Sequence, residues 1–323
     1  MAKHYDRKAE DLGNITGLEH VNLQIPDQAR GNLFYVQGLG LTRDPYMNTG
    51  LANMWINVGK SQFHLPTGDP WVLRGAIGLV TPDHDALLAR LAAVKKQLAG
   101  TKFAVAENND YVEVTCPWGN RFNMHSPDEE RFGAINLGMP YLDFDVPVGT
   151  AKGIARFYRK IFEAKTKLEE NGIGRVARIS VGYHQELSFR ETDKPIPAYD
   201  GHHIQVYVQD FSGPYKQLAK RDLLTEESNA YQYRWERIVD PKTDKCLFEI
   251  EHEIRSMTHP LYMRPLVNRN PMQSQQSYQM GGDAWDWEIR RSNVRLEGVP
   301  APSGPSAKAY AERRSTRMAR QAM

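Results

Sequence analysis

The sequence predicts an α+β protein built from four copies of one unit, each a strand, a helix and three further strands. Two observations support this prediction. Alternating apolar strands begin at about residues 19, 75, 140 and 202, as EHVNLQIPD, GAIGLVTPD, PYLDFDVP and HHIQVYVQD. An amphipathic stretch and further strand-like segments follow each of them. The period of roughly 60 residues is longer than that of the common solenoid repeats.

Each opening strand is followed by a segment with helical spacing. The first contains LFYVQGLGL and the third contains ARFYRKIFEA, so each carries a Phe-Tyr pair, Phe34-Tyr35 and Phe157-Tyr158. The second and fourth, DALLARLAAVKKQL and GPYKQLAKRD, space apolar residues three and four apart, which is typical of a helix with one buried face. We therefore expect one helix in each unit.

Paired units predict two domains, residues 15–128 and 134–255, after an N-terminal segment of residues 1–14. The polar stretch PDEERFGAINLG joins them. From residue 256 the sequence becomes rich in Pro, Gln, Asn and Met without a clear period, and VPAPSGPSAKAY has the composition of a linker. We expect residues 256–323 to be an irregular or partly helical extension, which is a candidate for contact with a second copy of the chain.

Composition excludes several classes of partner. The chain carries 41 basic and 39 acidic side chains and a formal net charge of +2, which predicts neither a nucleic-acid nor a membrane partner. The apolar runs are too short for a membrane span, and MAKHYDRKAED lacks the apolar stretch of a secretory signal. Two cysteines, Cys116 and Cys246, are too few for a disulfide framework. We predict a cytoplasmic protein with a small-molecule substrate.

Two pairs of metal-binding side chains lie at matching positions. His20 lies near the start of the strand LEHVNLQIPD, and His203 takes the same place in GHHIQVYVQD. His64 in SQFHLP and Glu249 in CLFEIEHE follow at intervals of 64 − 20 = 44 and 249 − 203 = 46 residues. Three imidazoles and one carboxylate suit Fe, Mn, Ni, Co or Zn better than Ca or Mg. If the two pairs meet in space, they predict one divalent transition-metal site.

Repeated βαβββ units, with FY…LG in the first helix and a histidine at the head of a strand, resemble the vicinal oxygen chelate superfamily. This group includes glyoxalase I, extradiol dioxygenases and bleomycin-resistance proteins. The resemblance covers about residues 15–255 and leaves the extension unexplained. It implies two glyoxalase-like domains with curved mixed sheets, and metal ligands on the first and last strand of each participating unit.

That ligand rule gives an uneven result along this chain. Units one and four offer good ligands, whereas units two and three offer only Ala76, Asn123, Tyr141 and Ser188. If units one and two formed one cavity and units three and four formed another, each cavity would have only two good ligands. If unit one faces unit four, as the resemblance to single-chain glyoxalases implies, all good ligands converge and the other cavity has none. We favour this second arrangement, with one interdomain metal centre formed by His20, His64, His203 and Glu249.

The resemblance implies a metal-dependent enzyme that acts on a small substrate with vicinal oxygens. We favour glyoxalase-like isomerase or lyase chemistry through a metal-stabilised enolate, with Glu249 as the catalytic base. If His64 is not a ligand, three open metal positions remain, which suits an Fe(II) extradiol-type dioxygenase. A non-catalytic small-molecule binding protein of bleomycin-resistance type is the other alternative. Tyr233, Trp235 and Arg237, spaced along one face of YQYRWERIV, are predicted to bind the substrate.

Overall fold

Four units of strand, helix and three strands follow one another along the chain, which confirms the predicted α+β class. The computed structural model describes residues 5–47 and 50–269. Unit one consists of β1 (Ile15–Asn22), α1 (Gln28–Gly31) with a π-helix that continues it (Asn32–Gly38), β2 (Thr42–Arg43), β3 (Asn53–Val58) and β4 (Ser61–Pro66). Unit two consists of β5 (Gly75–Val80), α2 (His84–Val94), β6 (Ala104–Glu107), β7 (Val112–Thr115) and β8 (Arg121–His125).

Units three and four repeat this order after a short helix, α3 (Glu129–Phe132), in the joint. Unit three consists of β9 (Gly138–Pro147), α4 (Ala151–Phe162), β10 (Thr166–Glu170), β11 (Arg175–Gly182) and β12 (Gln185–Thr192). Unit four consists of β13 (His203–Val208), α5 (Ser212–Ala219), β14 (Leu224–Asn229), β15 (Gln232–Val239) and β16 (Cys246–Ser256). In the described part of the chain, no helix is long and apolar enough to span a membrane. The predicted domain boundaries stay a prediction.

The units pair in an interleaved way to form two eight-stranded sheets. The first sheet, in the order β14-β15-β16-β13-β1-β4-β3-β2, joins unit four to unit one. The second, in the order β10-β11-β12-β9-β5-β8-β7-β6, joins unit three to unit two. Opening strands meet antiparallel at the centre of each sheet, and each closing strand lies parallel to its own opening strand. Unit one therefore shares a sheet with unit four, which is the arrangement that the positions of the predicted ligands favoured.

The helices of units one and three pack against both sheets through their Phe-Tyr pairs. The Tyr35 ring lies 5.4 Å from Phe63 of the first sheet and 6.0 Å from Phe122 of the second. In α4, Phe157 lies 5.0 Å from Trp235 of the first sheet. These contacts cover the apolar face of each sheet. Because side chains alternate along a strand, the polar residues of the central strands point to the opposite face, where a site can form.

After β16 the chain continues as a C-terminal strap, residues 257–269, which forms turns but no helix or strand. The Tyr262 ring packs 4.9 Å from Tyr207 of β13. Asn268 exchanges two hydrogen bonds, of 2.9 and 3.0 Å, with the backbone of Gly59 in the β3–β4 turn. The strap therefore crosses the polar face of the first sheet. The rest of the predicted extension, residues 270–323, lies outside the described residues.

Candidate metal centre

The register of the first sheet places the two predicted histidines on one face. In the antiparallel pair β1–β13, His20 lies opposite Gln205 and Asn22 lies opposite His203. Alternation sends these side chains away from the helices, whereas Val21 joins the apolar core. His20 and His203 are therefore diagonal neighbours across the two central strands, within reach of each other.

Glu253 of β16 completes a group that fits a metal ion. One donor atom from each of His20, His203 and Glu253 lies within 4.8 Å of the others. All three residues are buried, with 1, 5 and 2% of their surface exposed. His203 Nε2 lies 3.7 Å from Glu253 Oε2. A transition metal about 2.1 Å from each donor needs donors roughly 3 to 4 Å apart, so small side-chain shifts suffice to bind one. Two imidazoles and a carboxylate are a donor set for a divalent transition metal.

The predicted ligand Glu249 lies outside this group. Glu253 lies opposite Gln205 in the β13–β16 register, next to His20. Glu249 lies four residues earlier, opposite Arg237 at the other end of β16, and is exposed. The carboxylate of the candidate group is therefore that of Glu253 and not that of Glu249, whose predicted roles as ligand and catalytic base stay predictions.

The prediction of Glu249 assumed that units one and four have the same number of residues between their two candidate ligands. In unit four the interval is 253 − 203 = 50 residues, against 64 − 20 = 44 in unit one. The connection before β16 spans residues 240–245, whereas the connection before β4 spans only residues 59–60, and β15 is also longer than β3. The stretch DPKTDK was a sequence signal for this longer turn.

His64 lies beside the group. Its ring stacks on His20 at a centroid distance of 3.8 Å and an interplanar angle of 25°, and on Trp55 at 3.7 Å and 9°. His64 Nε2 lies 3.3 Å from Gln62 Oε1. Imidazole lone pairs lie in the ring plane, so two nearly parallel stacked rings do not converge on one ion. The structure thus brings His64 to the site but not into the three-residue group.

Of the predicted substrate residues of β15, Tyr233 and Trp235 do not lie on this face. They are 2% and 0% exposed and belong to the apolar core. Arg237 is exposed and lies opposite Glu249, beyond an irregularity in the strand, away from the three-residue group. Arg234 lies opposite Glu253 instead. The prediction placed the aromatic residues of YQYRWERIV in the site, but alternation turns them towards the helices. The site-facing side of β15 is corrected to the one that carries Arg234.

Charged residues that were not predicted from the sequence surround the three-residue group and form the wall of the candidate centre. Arg234 donates to Glu253 at 2.5 Å and to Glu251 at 2.8 Å. Arg255 lies 2.6 Å from Glu253 and donates to Glu19 at 2.8 Å. Two guanidinium groups thus hold three carboxylates, which orients Glu253. The sequence signal was the run of charges at alternate positions of β16, because buried charges need partners.

Burial keeps the three histidines in the form that binds a metal. Desolvation lowers the pKa of His20 well below its ordinary value, and neighbouring His64 and Arg255 lower that pKa further. Desolvation likewise lowers the pKa of His203, with help from Arg234. The pKa of His64 is lowered by the same cause. All three rings are therefore neutral at pH 7 and offer a free nitrogen lone pair.

Several buried polar atoms on this face have no hydrogen-bond partner. Within the described residues, neither ring nitrogen of His20 and neither amide atom of Gln205 has a hydrogen-bond partner. An unpaired buried polar group costs about 1–3 kcal/mol and is rare in folded proteins. Further unpartnered atoms belong to Asn22, Trp55 and Arg264. Their position around the metal-binding group indicates a site that is completed by a polar ligand.

The second sheet carries a cavity of about 790 Å³ but a different chemistry. Tyr141 lies at the position in unit three that corresponds to His203 in unit four. The Tyr141 hydroxyl accepts a hydrogen bond from Asn123 at 3.1 Å and lies 2.8 Å from His125 Nε2. Across the described ranges, only His20, His203 and Glu253 form a group of three potential ligands. The cavity thus lies on the second sheet, whereas the group that could hold a metal lies on the first.

Comparisons with known proteins show the fold. No protein-family model and no curated protein matches the chain. The structure of a proposed dioxygenase from Bacillus subtilis subsp. subtilis str. 168 matches with a TM-score of 0.52 and 14% identity, over 90% of this chain and 98% of that one. Glyoxalase I from Zea mays matches with a TM-score of 0.53 and 12% identity, over 75% of this chain and 92% of that one.

The chain thus has four βαβββ units paired in two mixed sheets, with a buried histidine–carboxylate group on one polar face. This fold matches that of the two structures, which agrees with the fold that the resemblance implied. At 12–14% identity the comparisons carry the fold, and the reaction has to be argued from the site.

Proposed function

We propose that this chain is a divalent-metal-dependent enzyme that acts on a small substrate with two vicinal oxygens, with Fe(II)-dependent dioxygenase chemistry as the best-supported reaction. The observation that carries the proposal is the buried group of His20, His203 and Glu253. Two histidines and one carboxylate would hold the ion, which would supply Lewis acidity towards a substrate with vicinal oxygens and, as Fe(II), redox chemistry with dioxygen.

The protein's own residues prepare this group for binding. His203 Nδ1 lies 3.3 Å from Glu251 Oε2, so the carboxylate can hold the proton on Nδ1 and leave Nε2 free as the ligand atom. Arg234 and Arg255 hold the Glu253 carboxylate from two sides. Burial of all three ligands excludes bulk water from the reacting groups.

A glyoxalase-type lyase or isomerase is the second candidate, and the position of His64 favours it. His64 lies opposite Asn22, two residues after His20. Glu253 lies opposite Gln205, two residues after His203. His64 is thus the unit-one counterpart of Glu253, and a turn of its ring would make it a fourth ligand. In that case Glu253, the carboxylate at the metal, would be the candidate base.

The metal content of the purified protein tests the proposal. We expect about one equivalent of a divalent transition metal in the wild type and none in the His20→Ala/His203→Ala double variant, because coordination requires both rings. A folded wild type that takes up no Fe(II), Mn(II), Ni(II), Co(II) or Zn(II) would contradict it and favour the non-catalytic binding protein.

The His64→Ala variant separates the two reaction classes. The dioxygenase proposal expects unchanged metal affinity, since three ligands remain in place. The glyoxalase-type candidate expects a clear loss of metal affinity, because a ligand has been removed. Equilibrium competition with a metal-binding dye measures the affinity of each protein.

A further inference from the structure

Arg264 in the C-terminal strap is a partly buried cation with two N–H groups that have no hydrogen-bond partner among the described residues. Its Nη2 donates to Asp44 Oδ2 at 2.7 Å, and its side chain is only 15% exposed. Its Nε and Nη1 are buried and have no hydrogen-bond partner in the part of the chain that the structure describes. Leaving buried N–H donors unpaired is costly, so these two atoms indicate a place for a ligand.

Asp44 holds Arg264 in a defined position. Asp44 Oδ1 accepts hydrogen bonds from the backbone nitrogens of Tyr46 and Met47 at 2.9 and 3.0 Å. Asp44 Oδ2 also accepts one from Gln62 at 2.9 Å. A carboxylate with this many donors cannot turn to follow the guanidinium. Arg264 is therefore anchored through Nη2, while Nε and Nη1 remain available.

A short chain of contacts connects this arginine to the metal centre. Asp44 binds Gln62, whose Oε1 lies 3.3 Å from His64 Nε2, and His64 stacks on His20. The Arg264 charge also contributes to the lowered pKa of His64. Arg264 thus borders the site from the strap, next to the metal-binding strands.

The charged side chains of the wall are paired with one another. Arg234 forms ion pairs with Glu226, Glu251 and Glu253, and Arg255 forms ion pairs with Glu19 and Glu253. Arg264 is paired with Asp44 through Nη2, whereas its Nε and Nη1 have no hydrogen-bond partner among the described residues. An anionic ligand that reached these donors would form charge-assisted hydrogen bonds.

We propose that Arg264 forms a carboxylate-binding subsite of the metal centre, and that the substrate is a small acid. Two vicinal oxygens of this acid would bind the metal, and a separate carboxylate would accept a hydrogen bond from Nε or from Nη1. This inference rests on the proposed function and names its substrate class. A carboxylate is a preferred partner of guanidinium N–H donors, because the hydrogen bond is charge-assisted.

Two probes that differ only in the carboxylate test the subsite: catechol and 3,4-dihydroxybenzoate, titrated calorimetrically into the metal-loaded protein. We expect the wild type to prefer the acid by roughly 10-fold or more, since a hydrogen bond to a charged group contributes about 1.5–3 kcal/mol. The Arg264→Gln variant should lose this preference and keep its affinity for catechol. The Arg269→Gln variant, which removes an exposed positive charge from the same strap, should keep both.

A second variant separates substrate binding from simple fastening of the strap. Asp44→Asn removes the anchor carboxylate but retains Arg264, so the preference for the acid should persist. If Asp44→Asn and Arg264→Gln weaken both probes equally, Arg264 only fastens the strap and the inference is overturned. A metal-loaded wild type without preference for the acid overturns this inference alone. A wild type that takes up no metal overturns the proposed function as well.

Discussion

The three candidate metal ligands differ in how firmly the protein holds them. Glu253 lies between Arg234 and Arg255, and His203 has Glu251 at its second nitrogen. His20 has no hydrogen-bond partner among the described residues, although Glu19 lies 3.7 Å from its Nδ1. Two of the three ligands are therefore pre-oriented, and the third depends on its strand and on stacking for its position.

Replacement of Glu253 tests which carboxylate belongs to the centre. We expect Glu253→Gln to weaken metal binding by more than the roughly 10- to 100-fold that loss of an outer-shell partner costs, because the charged ligand itself is lost. Glu249→Gln is the matched control on the same strand and should bind metal like the wild type, since Glu249 is exposed. Equilibrium dialysis measures both. Loss of metal binding in Glu249→Gln but not in Glu253→Gln would show that Glu249 is the carboxylate ligand, as the sequence predicted.

At the scale of elements, β15 has two faces with different tasks. Arg234 faces the metal centre, whereas Trp235 packs among the helices, 5.0 Å from Phe157 and 5.6 Å from Phe162. The Trp235 ring also stacks on His252 at 4.0 Å. The strand thus links the apolar core to the charged wall through adjacent residues, and damage to one face can be separated from damage to the other.

Truncation of Trp235 should affect stability rather than ligand binding. We expect Trp235→Ala to lower the free energy of unfolding by about 3–5 kcal/mol, the usual cost of removing a large buried ring. Metal affinity of the folded protein should stay unchanged. Arg237→Ala, two residues along and exposed, should change stability by less than about 0.5 kcal/mol. Urea unfolding measures both variants. Wild-type stability in Trp235→Ala with weakened substrate binding would support the predicted substrate role.

At the scale of the whole molecule, the candidate metal centre depends on residues far apart in the chain. His20 comes from unit one, and His203 and Glu253 come from unit four. They meet because β1 and β13 pair at the centre of the first sheet. The strap that follows β16 returns to the β3–β4 turn and fastens the same two units a second time. Metal binding and global stability should therefore be coupled.

Metal removal should lower the stability of the whole chain. An ion that binds only the folded protein stabilises it by about 2.7 kcal/mol when its free concentration is 100 times its dissociation constant. We expect thermal unfolding to shift to a lower temperature after chelation and to recover when metal is returned. The His20→Ala variant should show no shift. A shift of equal size in that variant would mean that the metal binds elsewhere.

The sequence by itself determined the features that depend on local pattern. Period-2 alternation identified the strands, the Phe-Tyr pairs marked helices that pack on the sheets, and the recurrence of the unit predicted the fold class. His20 and His203 were found because each lies near the start of a similar strand. These signals are short-range, since side-chain direction follows directly from the backbone conformation of a single strand.

Only the tertiary structure decided which residues meet. The stretch CLFEIEHE places Glu249 and Glu251 on the same side of a strand as Glu253, and only the register with β13 selects the last of them. The inward face of β15 and the contact of Arg264 with Asp44, 220 residues apart, are likewise set by long-range pairing. A register shift of a few residues leaves local propensity unchanged but moves every side chain along the sheet, so local sequence could not choose among these arrangements.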